Sequence, residues 1–211
     1  LRQCSKDAFH DLKSDFRIVR AAASTIAGMT LLITPRLRLE PLDDHHFDAL
    51  HRLNRDPVVM RYITGRPDTP EDTRSMIDRV KARWAEFGHS WWAFIRVDDG
   101  ELIGSGCIQH LGRDPAGPLE TGWRLRQDAW GQGYASEAAR HMVGWAFATL
   151  QPERVCAVCQ PENLPSSTVM ERLGMSFTGL GRWYDKECRR YDITAAQWAS
   201  SAAKKRYDAE A

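Results

Sequence analysis

"ETGWRLRQDAWGQGYASEAAR", residues 120–140, carries three local signals in order. "GWRLR" reads as a strand, Gly131 and Gly133 follow in a short loop, and small helix-favouring residues begin at Ala135. A glycine-bearing turn at the mouth of a helix leaves N–H groups unpaired, beside a backbone that no Cβ shields. The helix dipole adds partial positive charge at the same place. Together these make a site for an anion, most often a phosphate. The nucleotide motifs fit less well. No G-x-x-x-x-G-K-[ST] is present, and a G-x-G-x-x-G/A match puts Ser136 or Glu137 at its third small position. That fingerprint also belongs in the first βα turn of a parallel fold. The competing reading is a glycine turn that only lets a helix start.

The elements on either side define the fold. "RLRLEPL" alternates Leu37 and Leu39 inward as a strand, and Asp43 or Asp44 caps a helix with Phe47, Leu50 and Leu53 on one stripe. In "TPEDTRSMIDRVKARWAEFG" Thr69 is the cap and Pro70 opens the first turn. Met76, Ile77, Val80, Trp84 and Phe87 form the buried face of that helix, and Gly88 ends it. "WWAFIRVDDGELIGSGCIQ" reads as a hairpin turning at Asp98-Asp99-Gly100, with Trp91 and Trp92 facing opposite sides of the sheet. After residues 120–140 come a strand ("RVCAVCQ"), a helix capped by Asn163 and followed by Gly174, and a closing hairpin. Three consecutive strands, two joined by a tight hairpin, come just before the glycine loop, which suits a doubly wound parallel sheet poorly. The expected class is α/β (α+β): one mixed, mostly antiparallel sheet of about seven strands with helices on both faces. No repeat or low-complexity tract interrupts it.

The chain has 211 residues, 43% hydrophobic and 27% charged, with a formal net charge of +1. That suits a globular domain and argues against nucleic acid as a partner. No run approaches a membrane span. Five scattered cysteines do not form a secreted disulfide framework. The C-x-x-C match at Cys156 and Cys159 lies in a strand, where residues three apart point to opposite faces, so a metal or redox role is not expected. His45, His46, His110 and His141 stand apart from any ligand pattern. Residues 1–29 read as an N-terminal extension, against the alternative of a helix packing on the domain through Phe9, Leu12, Phe16 and Val19. Residues 30–200 form the domain, and 201–211 a C-terminal tail.

With the motifs in this order, the sequence resembles the GNAT acetyltransferase superfamily, in its RimJ/RimL-like branch. The stretches that carry the resemblance are "TPRLRLEPLDDHHFDALHRLNRDPVVMRYITG", "GELIGSGCI", "ETGWRLRQDAWGQGYASEA" and "NLPSSTVMERLGM". The resemblance implies acetyl-CoA as cosubstrate, with no metal. Its pyrophosphate is implied to lie on main-chain N–H groups of Gly131, Gln132, Gly133, Tyr134, Ala135 and Ser136. Trp130 stands where the family usually has Gln or Arg, either against the ligand or in the core. Trp123, Arg124 and Leu125 are implied to lend backbone groups to the pantetheine amides, as an added strand does. Asn163 and Ser166 match the family's N-x-x-S beside the pantetheine arm; their other reading is a helix cap and a first-turn serine.

Glu120 is implied to be the general base for the amine, the alternative being a surface glutamate at a strand edge. The family's common general-acid tyrosine is replaced by Met170, which leaves Ser166, water or unassisted departure of the thiolate. The acceptor is expected to be a protein N-terminus or a small amine. Arg182, Arg189 and Arg190 are expected on a solvated face rather than in an acceptor groove. Cytoplasmic location, no membrane partner and a homodimer complete the expectations. Two other functions compete: a non-catalytic CoA-binding sensor or partner module, and a nucleotide-binding α/β protein.

Overall fold

A computed structural model describes residues 25–26 and 29–210. The expectation for residues 1–29 therefore falls outside the described residues, except for a short ladder of β1 (Thr25–Ile26) against β2 (Met29–Thr30). The main sheet has eight strands, the additional one being the two-residue edge strand β3 (Leu32–Ile33). The others are β4 (Leu37–Pro41), β5 (Trp91–Arg96), β6 (Leu102–His110), β7 (Leu119–Leu125), β8 (Arg154–Cys159), β9 (Ser176–Trp183) and β10 (Lys186–Thr194). Their order is β3-β4-β5-β6-β7-β8-β10-β9, antiparallel throughout except between β7 and β8.

That exception shapes the molecule. β7 pairs with β6 over all of Leu119–Leu125, and β8 pairs with β10 over all of Arg154–Cys159. The two facing edges meet only at Leu119↔Val155 and Glu120↔Cys156. Beyond Glu120 the strands part, and the sheet opens a wedge edged by main-chain polar groups.

The helices are α1 (Phe47–Asn54), α2 (Pro57–Met60), α3 (Pro70–Phe87), α4 (Tyr134–Trp145), α5 (Leu164–Arg172), α6 (Ala195–Ser200) and α7 (Ala202–Glu210). α3 starts in a capping box: Thr69 accepts from the Asp72 N–H, the Asp72 carboxylate accepts from the Thr69 N–H, and Pro70 fills the first turn. Gly88 ends it in the left-handed region, at φ 70°. Ile77, Val80 and Trp84 are buried, Trp84 edge-on against Trp92. Met76 and Phe87, expected in that stripe, are only half-buried; Met76 lines a cavity, where its sulfur accepts a hydrogen bond from Arg124 Nη2 at 3.0 Å. The segment expected as a C-terminal tail is helical over 202–210: α7 packs on α4, with the Tyr207 ring against Gly144 and Arg140 paired to Glu210 at 2.6 Å.

Cys107, Cys156, Cys159 and Cys188 are all free and buried. Burial pushes the Cys156 thiol up to about 12 and raises that of Cys159, so neither has thiolate character at neutral pH.

Candidate active site

The glycine loop is built from both ends. Gly131 and Gly133 sit at φ 72° and 85°, a region that side-chain-bearing residues rarely adopt, which explains both glycines. Gly133 is the N-cap of α4 and has no side chain to satisfy the first turn. Among the described residues, no N–H from Gly131 to Ser136 takes part in a loop or cap hydrogen bond. Arg36, just before β4, holds the loop: it donates to the Gln132 carbonyl at 3.0 Å, pairs with Glu137 at 2.7 Å and lies over the Tyr134 ring. Glu137 is buried in the first turn of α4 and also accepts from Thr34 at 2.6 Å. The sequence reading missed Arg36 and Thr34, which stand about a hundred residues from the loop they brace. Trp130 is 48% exposed and donates its indole N–H to the Leu125 carbonyl at 2.9 Å, so it is not a core residue.

The wedge holds a cavity of about 220 Å³. Glu120 and Trp123 line it from β7, and Asn163, Ser166 and Met170 from the α5 side. Asn163 caps α5 by accepting from the Ser166 N–H at 3.4 Å, so the capping reading of that pair holds structurally. Arg124 and Leu125 do not line this cavity. Alternation along β7 puts Glu120, Gly122 and Arg124 on one face. Arg124 lines a second cavity there, and the Leu125 carbonyl is occupied by Trp130.

Glu120 is 5% exposed, which excludes the surface-glutamate reading. Its Oε2 accepts from the Tyr184 hydroxyl and from Gln109 Nε2 at 3.2 Å. Gln109 is oriented in turn by Trp91, whose indole N–H reaches its Oε1 at 3.1 Å. Burial outweighs these donors and pushes the Glu120 carboxyl up to about 7, while Tyr184, Gln109 and the charge of Arg113 pull it down. Tyr184 itself is held far above its ordinary value by burial and by the Glu120 charge, so it keeps its proton.

Tyr184 was not foreseen. It sits with Asp185 in the β9–β10 turn at φ 54° and 61°, and accepts from the Gly112 N–H at 3.1 Å. Only its place at the tip of the closing hairpin was legible in the sequence; its positive φ and its reach to Glu120 belong to the structure.

The histidines do not all stand apart. Glu40, His45 and His46 bring one ligand atom each within 4.8 Å of one another. The Glu40 Oε2 already lies 3.3 Å from His46 Nε2, and the His46 Nδ1 accepts from the Asp43 N–H at 3.1 Å. Arg190, expected on a solvated face, pairs with Asp192 at 2.7 Å.

A sequence profile described as "Acetyltransferase (GNAT) domain" matches residues 36–176. The chain belongs to the GNAT acetyltransferases. It is 31% identical to the uncharacterized N-acetyltransferase p20 of Bacillus licheniformis, over 75% of this chain and 89% of that protein. It is 29% identical to the FsC-acetyl coenzyme A-N(2)-transacetylase of Aspergillus fumigatus, over 82% of this chain and 80% of that one. An acetyltransferase structure from Agrobacterium tumefaciens superposes with a TM-score of 0.69 at 30% identity, over 82% of this chain and 99% of the other. The single mixed sheet with its flanking helices is the fold of these acetyltransferases. GNAT acetyltransferases use acetyl-CoA as cosubstrate, and the wedge suits such a group. It offers an extended unpaired strand edge for an amide-bearing arm and unpaired N–H groups at a helix mouth for phosphate. No helix among the described residues is long and apolar enough to cross a membrane.

Proposed function

We propose that this acetyltransferase carries an acetyl group from acetyl-CoA to a primary amine by direct attack, with Glu120 as general base. The observation that carries this reading is a carboxylate buried at the apex of the wedge, beside the first unpaired residues of β7, with a pKa near neutrality. Acetyl-CoA, when bound, supplies an activated thioester carbonyl. The main-chain N–H groups of residues 131–136 hold its pyrophosphate, and the free edge from Thr121 to Trp123 takes the pantetheine arm. Asn163 and Ser166 bound the arm on the opposite wall.

Both donors to Glu120 converge on Oε2, which leaves Oε1 to accept the proton of an incoming ammonium. Tyr184 and Gln109 fix the carboxylate without competing for that oxygen. Ser166 is the hydroxyl on the far wall of the cavity and the group we assign to the departing thiol; Met170, one turn on, has no proton to give.

The reading is tested by thiol release from acetyl-CoA across a panel of amines. Binding of acetyl-CoA with no release for any amine would sink it in favour of a non-catalytic module, and stabilisation by ATP or NAD instead would sink the donor assignment. Two variants probe the parts. Gly133→Val forces a β-branched residue into φ 85° and sets its Cβ 3.4 Å from Arg36 Nη2. It is expected to weaken acetyl-CoA binding at least tenfold in isothermal titration; unchanged affinity would remove the loop from the site. Tyr184→Phe deletes a donor that favours the charged form of Glu120. The rise of kcat/KM with pH is expected to move above its wild-type midpoint near 7, with much of the rate regained at high pH. A uniform loss at every pH would refute this positioning role.

A further inference from the structure

The second cavity, about 340 Å³, adjoins the wedge and shares Trp91, Gln109 and Arg113 with it. Arg124 lines it from β7, while Glu120 and Gly122, on the same face of that strand, line the wedge. The carboxylate and the guanidinium thus face the same side of the sheet in adjoining cavities, their Cα atoms ~13 Å apart at the usual strand rise.

The charges in this cavity are unbalanced. Arg66 and Asp72 neutralise each other at 2.7 Å. That leaves Arg79, Arg83, Arg113 and Arg124 against Asp68 alone on the cavity lining. Among the described residues, none of these four arginines forms a salt bridge.

Arg124 is 7% exposed, and its Nε is buried without a partner. Its other contacts are the Met76 sulfur and the Trp91 ring, 5.0 Å from the guanidinium carbon. Asp68 helps to keep it charged, but does not bond to it. Arg83 reaches the Gln109 Oε1 only at 3.5 Å, and the charges of Arg113 and Arg79 add to burial in making its own charge unfavourable. A buried cation with no ion-pair partner, beside half-buried Arg83 and exposed Arg79 and Arg113 that add like charge, marks a place for an anion. Asn163 and Ser166 line the wedge but not this cavity, so the anion enters from the side opposite the cosubstrate arm.

We infer that the amine acceptor of this acetyltransferase is a small molecule that also carries an oxyanionic group, a carboxylate or a phosphate, seated on Arg124 and Arg83 while its amine reaches Glu120. The inference rests on the proposed function of the same site, and the two fail differently.

The test compares 4-aminobutyrate, 6-aminohexanoate and 6-aminohexyl phosphate with butylamine, hexylamine and a short neutral peptide. Each is scored for CoA release by the wild-type protein and for thermal stabilisation of the CoA-loaded protein. At least one anionic amine is expected to exceed its plain counterpart tenfold or more in kcat/KM and to give the larger thermal shift. Comparison of the carboxylate and phosphate arms identifies the group. Arg83→Gln is expected to cut the anionic-to-plain ratio at least fivefold, and Arg79→Gln, on the exposed wall, supplies a second reading if the first variant folds poorly.

Equal turnover and equal shifts for anionic and plain amines, or a peptide preferred over both, would overturn the inference and leave the function standing. A loss of acetyl-CoA affinity in Arg83→Gln with an unchanged acceptor ratio would also overturn it, by assigning the arginines to the cosubstrate. If no amine releases CoA, the proposed function itself has failed; stabilisation by the anionic amines alone would then still support an anion site, and its absence would refute one.

Discussion

Glu120→Gln is expected to lower turnover by roughly 10²- to 10⁴-fold, the usual contribution of a positioned general base, with little change in the KM for acetyl-CoA. The substitution keeps an oxygen to accept from Tyr184 and Gln109, so the cavity retains its shape. What disappears is the group that takes the ammonium proton.

The same variant should be more stable than the parent at alkaline pH, and the sign follows from linkage. The Glu120 carboxyl titrates near 7 when folded and near its ordinary 4.5 when unfolded. Between those values the folded state holds the proton more tightly. The favourable contribution is therefore complete below about 4.5 and is lost as pH rises through 7. At pH 8 the charged, buried carboxylate costs about 3 kcal/mol, at 1.4 kcal/mol for each pKa unit. Glutamine carries no charge to bury. For a chain of this length the melting temperature of Glu120→Gln should exceed that of the parent by roughly 5–10 °C at pH 8, and the gap should close as pH falls towards 5. Calorimetry at the two pH values, together with initial rates, checks both halves. Unchanged turnover would refute the catalytic role, and a gap independent of pH would refute the buried charge.

Gly106→Ala should be among the most damaging single-methyl changes in the protein. Gly106 lies in the middle of β6, opposite Trp123 of β7. A Cβ there would sit 2.5 Å from Phe94 Cζ, 2.8 Å from the Gly122 carbonyl oxygen and 2.8 Å from Met142 Cε. One of these atoms is sheet backbone and cannot move without disturbing the β6–β7 ladder that carries Glu120. Overpacking of this kind costs about 1–3 kcal/mol, occasionally more, and here the clash is on three sides. A fall in melting temperature of roughly 5–10 °C is expected at this chain length.

Gly122 is the control. A Cβ there meets only Cys107 Sγ, at 3.5 Å, an ordinary contact. Gly122→Ala should therefore fold normally and act only on the wedge cavity that Gly122 lines. Equal melting temperatures for the two variants would contradict the packing described here.

Much of the architecture was legible in advance because its causes are local. The capping box at Thr69, the stop at Gly88, the alternation in "RLRLEPL" and the left-handed positions at Gly131 and Gly133 depend on residues within a few places of one another. The order of these elements was enough to expect one mixed, mostly antiparallel sheet, with a glycine turn leading into α4. Missed were features made by distant residues or by single contacts. Met76 fits an apolar stripe by period, yet Arg124 draws its sulfur to the cavity. No motif marked the cationic cavity, because its arginines come from α3, β7 and two separate connecting segments.

By itself, then, the sequence determined the elements, their order and the left-handed glycine turn that leads into α4. Periodicity, caps and positive-φ turns are properties of short segments. Only the tertiary structure decided that β7 and β8 part after Glu120, because that depends on where two strands more than thirty residues apart stop pairing. It also decided that Tyr184 and Gln109 converge on one oxygen of Glu120, and that four arginines share a cavity with one free carboxylate. Burial and charge balance are sums over every neighbour in space, and no stretch of chain contains those neighbours in order.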